Sequence, residues 1–149
     1  MNLPDPRLAF AFEARVDVAE SLDVGGGLMF TPITGGTVAG PRLNGVVLSG
    51  GGDWSTTRGT TTELDARYLL RADDGTVIDI VNRGFWRADP DIERRVDAGE
   101  DIPETEYYYR TSPVFRTDAE QHHWLTESVF VGLARGEAGQ VCIRFFEVL

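Results

Sequence analysis

With 149 residues and a net charge of −10, the chain lacks the basic surface needed to grip a phosphate backbone or an anionic membrane. A hydrophobic fraction of 42% and an aromatic fraction of 10% exclude a disordered polymer. This length suffices for one domain, residues 1–149, to bury a core without disulfides or metals.

The opening MNLPDPR has no basic stretch followed by an apolar one, and no apolar run reaches the ~20 residues that span a bilayer. The expected location is therefore the cytoplasm. From Leu8, alternation places Leu8, Phe10, Phe12, Ala14, Val16 and Val18 on one face and Glu13, Arg15 and Asp17 on the other, which predicts a strand buried on one side. Gly25, Gly26 and Gly27 break the chain before predicted strands over 28–38 and 43–48. Gly50, Gly51 and Gly52 then punctuate a loop that carries Asp53 and Trp54. A strand over 62–71 runs into Asp73-Asp74-Gly75, a hairpin signal because Asp-Gly accepts positive φ, and its partner covers 76–86.

Residues 89–98 (DPDIERRVDA) predict the one helix, with Asp89 as cap, Pro90 in the first turn and Gly99 at the end. Strands follow over 107–116, 127–135 and 140–148, with 118–125 as a helical turn or loop. The lone Cys142 lies in the last strand and reads as a small core residue. About eight strands joined by short connections predict an all-β fold, a single antiparallel β-barrel with one short helix. A two-sheet sandwich is the alternative. A barrel of that size encloses either packed side chains or one small ligand.

No phosphate-binding glycine motif, CxxC, HExxH or GxSxG is present, so no cofactor is expected. His122 and His123 are adjacent and diverge on either a strand or a helix, so a packing or surface role is expected rather than a metal site.

Three clusters carry possible chemistry. Asp53 and Trp54 leave the glycine loop together, as a loop plug or as a carboxylate and an indole at a pocket mouth. Asp65 and Arg67 share one strand face, opposite Leu64, Ala66 and Tyr68; they form either a solvated charge ladder or a polar lumen wall. Tyr108 and Arg110 share a face, offering a phenol beside a cation that would orient a developing oxyanion, unless the tyrosines simply pack. Asn82 and Trp124 would complete such a pocket.

The blocks PITGGTVAGPRLNGVVLSGGGDW, ELDARYLLRADDGTVIDIVNRG, EYYYRTSPVF and VFVG, in that order, resemble the domain-of-unknown-function family 3237, also called uncharacterised protein family 0311. The resemblance implies a bacterial-type, lipocalin-like antiparallel barrel, in which a homo-oligomer is plausible. Its motif positions fall on Asp53, Trp54, Asp65, Arg67, Tyr68, Asn82, Tyr108 and Arg110, with Tyr109 read as packing. No histidine belongs to them.

The functional expectation is binding of a small aromatic or apolar metabolite in the barrel interior, held by Trp54, Arg67, Asn82 and Trp124. The alternative is a cofactor-independent isomerase, cyclase or hydratase. There Asp53 or Asp65 would move the proton, and Tyr108 with Arg110 would stabilise the oxyanion. A third possibility is an interaction module whose interior is filled.

Overall fold

Sequence alternation becomes an inside and an outside once the sheet closes on itself. The computed structural model describes residues 1–149. Its strands are β1 (Leu8–Val18), β2 (Leu22–Gly25), β3 (Leu28–Ala39), β4 (Gly45–Val47), β5 (Gly52–Arg58), β6 (Thr61–Ala72), β7 (Val77–Arg87), β8 (Tyr108–Arg116), β9 (Phe130–Glu137) and β10 (Gln140–Val148). All pairings are antiparallel, and β1 closes the ring by pairing with both β10 and β3. One flank of β3 is shared by β1 and β2, the other by β4 and β5. Ten strands therefore fill eight positions of a closed barrel. The barrel, rather than the sandwich, is the fold, and no helix is long and apolar enough to cross a membrane.

Two strands were not legible in the sequence. β5 reads DWSTTR after its first glycine and β2 reads LDVG, so neither carries an alternating apolar set. Their pairings with β3 nevertheless complete the wall. In β1 the predicted face is broken by a bulge between Phe10 and Phe12, where Phe10 pairs with Phe146 but Phe12 with Phe145. The extra residue turns Leu8 and Phe10 outward while Phe12, Ala14 and Val16 remain buried.

The helix α1 (Pro90–Asp97) starts behind Asp89 as expected, although the Asp89 side chain makes no capping hydrogen bond. At the β6–β7 hairpin, Gly75 adopts φ of 89°, a conformation that strains any residue with a Cβ. The histidine pair lies on a 3₁₀ turn (Glu120–Thr126) after β8. His122 is buried, and its Nε2 lies 2.8 Å from Asp74 Oδ2, which ties this turn to the β6–β7 hairpin. Leu125 and Trp124 of the same turn pack onto the core.

That end of the barrel is solid. Phe12, Phe115, Phe130 and Phe145 interlock there, with ring centroids 4.9 Å apart for Phe12–Phe145 and 5.4 Å for Phe115–Phe130. Leu70, Ile78 and Ile80 fill the space around them. Cys142 departs from expectation: it is buried, but on the outer wall, where Sγ lies 2.7 Å from Glu13 Oε1. Burial and then the Glu13 hydrogen bond push its thiol up to about 11, which leaves it a poor nucleophile at neutral pH.

The division between packed interior and outer wall is tested by two truncations. Phe145→Ala is expected to lower the unfolding free energy by about 3–5 kcal/mol. Trp54→Ala, on the outer wall, should cost only about 1 kcal/mol, the range of one aromatic pair. Urea unfolding at pH 7 measures both, and equal losses would refute the division.

Candidate functional site

The barrel half at the other end, around the β5–β6, β7–β8 and β9–β10 connections, is hollow. A cavity of about 220 Å³ lies there, lined by fourteen residues, nine of them hydrophobic. Val16, Val18, Ile33, Leu64, Val141 and Ile143 supply the apolar wall, and Thr31 and Ser55 add hydroxyls. Asp53, Tyr68, Asn82, Tyr109 and Thr111 supply the remaining polar character.

Strand period and register bring these side chains together. On β5, Gly52 and Trp54 face outward, so Asp53 points into the lumen, paired across the wall with Thr31 on β3 and Ala66 on β6. Ala66 in turn pairs with Asn82 on β7, so carboxylate and amide lie in one ladder row with only a methyl group between them. Tyr68 is the next inward residue of β6. Thr111 is inserted between Gly84 and Gly132, its partners on β7 and β9. A Cβ on Gly84 would strike the Arg110 carbonyl oxygen, and one on Gly132 would strike Thr111 Oγ1. Both glycines are therefore required by close approach around the threonine.

The electrostatics follow from an apolar enclosure with one carboxyl group. Burial pushes Asp53 up to about 6; a hydrogen bond from the Asp65 backbone N–H to Oδ1, 2.9 Å long, opposes the shift, and the charge of Asp65 adds to it. Burial also raises Tyr68 and Tyr109 well above the ordinary phenol range; the Asn82 amide beside the Tyr68 hydroxyl offsets part of this without closing a well-formed hydrogen bond, and the Asp53 charge adds to both. Near neutrality both phenols thus keep their protons. Tyr68 Oη, Asn82 Oδ1 and Thr111 Oγ1 are buried and have no hydrogen-bond partner within the protein.

Of the residues singled out in the sequence, Asp53 and Asn82 line the cavity. Asp65 and Arg67 do not: they lie on the outer wall in exposed ion pairs, Asp65 with Arg83 at 3.1 Å and Arg67 with Asp79 at 3.3 Å. The solvated ladder is the correct reading of that face. Tyr108 and Arg110 also face outward. Arg87 stacks on the Tyr108 ring at 3.8 Å, and Arg110 donates to the Tyr109 carbonyl oxygen. Trp54 lies outside against Phe30, with centroids 4.7 Å apart. Trp124 belongs to the solid end, sandwiched between Arg42 and Phe130.

Five of these six placements share one cause: alternation sorts side chains into two faces without saying which face is enclosed. Trp124 differs, because it sits on the 3₁₀ turn and packs against the solid end. The lumen residues outside the expected site are Thr111, Tyr109, which the sequence reads as packing, and Tyr68, which enters only as a family motif position. A signal for Tyr68 was present, since it shares the face of Leu64, Ala66 and Leu70, which is the one a closed sheet buries.

Comparison with known proteins agrees with this architecture. The family model described as "Protein of unknown function (DUF3237)" matches residues 6–148. A UPF0311 protein of Rhodopseudomonas palustris is 33% identical over 148 residues, 97% of each chain. A crystal structure of a conserved protein of unknown function from the same species superposes with a TM-score of 0.95 at 31% identity, covering 99% of this chain and 100% of that one. A β-barrel-like protein from Acinetobacter baumannii gives 0.86 at 28% identity, with 99% of each chain covered. A structure described as an enzyme from Penicillium herquei shares the fold, with a TM-score of 0.72 at 23% identity over 100% of this chain and 98% of that one. By sequence over nearly its whole length, and by the barrel those residues build, the chain belongs to the DUF3237 family.

Proposed function

We propose that the barrel binds a small, largely apolar metabolite in the hollow half of its interior. The observation that carries this reading is a cavity of about 220 Å³ in the barrel interior, beside a half filled by aromatic side chains. An engineered cavity of ~150 Å³ already holds benzene, so a molecule of one or two rings fits here. Apolar walls with a few placed polar groups are the usual form of such a pocket.

A second reading is favoured by one specific observation, the Asp53 carboxyl raised to about 6 inside an apolar chamber. A group that titrates near neutrality and faces the bound molecule suits general acid–base work. The barrel would then be a cofactor-independent isomerase, cyclase or hydratase. Asp53 would move the proton, and the Tyr68 and Thr111 hydroxyls would donate to the oxygen where charge develops. Tyr108 and Arg110, on the outer wall, have no place in this scheme.

Binding is tested by extracting the purified protein under denaturing conditions, identifying any released small molecule by mass spectrometry, and titrating it back. Ala66→Phe places a ring in the cavity and should lower affinity at least ~10-fold, with a stability cost of about 1–3 kcal/mol from overpacking. Unchanged affinity would move the site elsewhere. For the catalytic reading, Asp53→Asn should retain binding and lose ~100-fold or more in turnover of that molecule. Turnover that survives the substitution removes Asp53 from the chemistry.

The same carboxyl makes a stability prediction. A folded-state value of about 6 against an unfolded one near 3.8 means the native protein holds the Asp53 proton more tightly. Stability from this group is then full below pH ~4 and falls as pH rises through about 6. Asp53→Asn removes that loss. Relative to the parent it should gain about 2–3 kcal/mol on moving from pH 4 to pH 8, because each tenfold difference in proton affinity is worth ~1.4 kcal/mol. Urea unfolding of both proteins at the two pH values checks this, and a difference independent of pH would refute it.

A further inference from the structure

We infer that the polar wall of the cavity is built for an uncharged hydroxyl compound, a phenol or alcohol on an apolar ring-sized body, and that it rejects carboxylates. This rests on the binding reading above and specifies its ligand.

The first support is the set of unpartnered atoms. Tyr68 Oη, Asn82 Oδ1 and Thr111 Oγ1 are buried without a protein partner, and their residues all line the same cavity as Asp53. Tyr68 and Asn82 are each 3% exposed and Thr111 6%, so they sit deep in the cavity wall. A buried polar atom left without a hydrogen bond costs about 1–3 kcal/mol. Three in one chamber favour a ligand that supplies the missing partners. A carbonyl oxygen such as Asn82 Oδ1 only accepts, so the ligand must donate there. The Tyr68 and Thr111 hydroxyls both donate and accept. A ligand hydroxyl satisfies this mixed set, and it does so whichever way round the Asn82 amide sits. A ketone has nothing to donate to the Asn82 oxygen.

The second support is charge. Asp53 is the only Asp, Glu, Lys, Arg or His among the fourteen lining residues. Arg67 and Arg83 on the neighbouring strands are turned to the outer wall and paired with Asp79 and Asp65. A carboxylate entering this chamber would meet a carboxyl group and no cation, and two such groups cannot both ionise in an apolar enclosure. The pocket is thus selective by exclusion as well as by fit.

The test measures binding of naphthalene, 2-naphthol and 2-naphthoate at pH 7 by calorimetry, with benzene and phenol as a smaller pair. The expected order puts 2-naphthol at least ~10-fold tighter than naphthalene, and 2-naphthoate at least ~10-fold weaker than 2-naphthol. In the Tyr68→Phe/Thr111→Val double variant, the advantage of naphthol over naphthalene should shrink to less than ~3-fold while naphthalene affinity holds. Equal affinity for hydrocarbon and alcohol would overturn the inference and leave the cavity reading standing. So would naphthoate binding as tightly as naphthol, or an alcohol advantage that survives in the double variant. If no member of either series binds and no small molecule is released from the protein, the cavity reading itself falls.

Discussion

A strand gives each side chain two choices, and a closed sheet makes one of them an enclosure. Eight strand positions set the diameter of that enclosure, so its content is decided by a limited set of inward residues. In this barrel the content changes character along the axis. Toward the 3₁₀ turn (Glu120–Thr126) the inward residues are Phe12, Phe115, Phe130 and Phe145, whose rings meet edge to face or tilted and leave no chamber. Toward the β7–β8 connection they are smaller or polar, among them Ala66, Asn82, Gly84, Thr111 and Gly132. The cavity is therefore a consequence of side-chain volume on a fixed frame rather than of any loop. The solid half supplies the apolar burial that allows the other half to stay open.

The open half keeps features that stability alone would select against. An ionisable group in an apolar chamber opposes folding whenever it is charged, and Asp53 has one protein hydrogen bond, from the Asp65 backbone, to offset this. Three further polar atoms are buried there without protein partners. Replacing each by an apolar isostere would remove the cost without disturbing the strands. Three of the four unpartnered buried polar atoms lie in one cavity, His122 Nδ1 being the other, and this clustering is what the proposed ligand site rests on.

Sequence reading located most strands and the helix because alternation, the Asp73-Asp74-Gly75 turn and the Gly99 stop are local physical signals, and the family resemblance favoured the barrel over the sandwich. It failed where the deciding information is not local. Asp65 and Arg67 look like a lumen wall only until Arg83 and Asp79 are seen beside them, and those partners come from a neighbouring strand. Tyr108 and Arg110 satisfied the chemistry of an oxyanion clamp, but their parity on β8 opposes that of Thr111 and Phe115, which face inward. β5 has few apolar residues because its inward positions, Asp53 and Ser55, face the cavity instead of the core. That strand was invisible to hydrophobic pattern for the very reason that it carries the site. The bulge in β1 adds a second limit, since one inserted residue reverses the face of everything before it.

Of the polar groups in the cavity, Asp53 is the one whose charge its neighbours feel. Ala66 puts only a methyl group in the ladder row between Asp53 and Asn82, while Tyr68 and Tyr109 lie close enough for its charge to raise both phenols. The coupling works in both directions. A neutral phenol is the better donor to an oxygen that gains charge, and a charged Asp53 keeps those phenols neutral. An apolar chamber holding one group that titrates near neutrality and two that do not, arranged around a shared volume, fits the proposed hydroxyl ligand and the proposed proton exchange alike. Binding is the part that geometry alone favours, and turnover adds the requirement that a proton leave Asp53 and return.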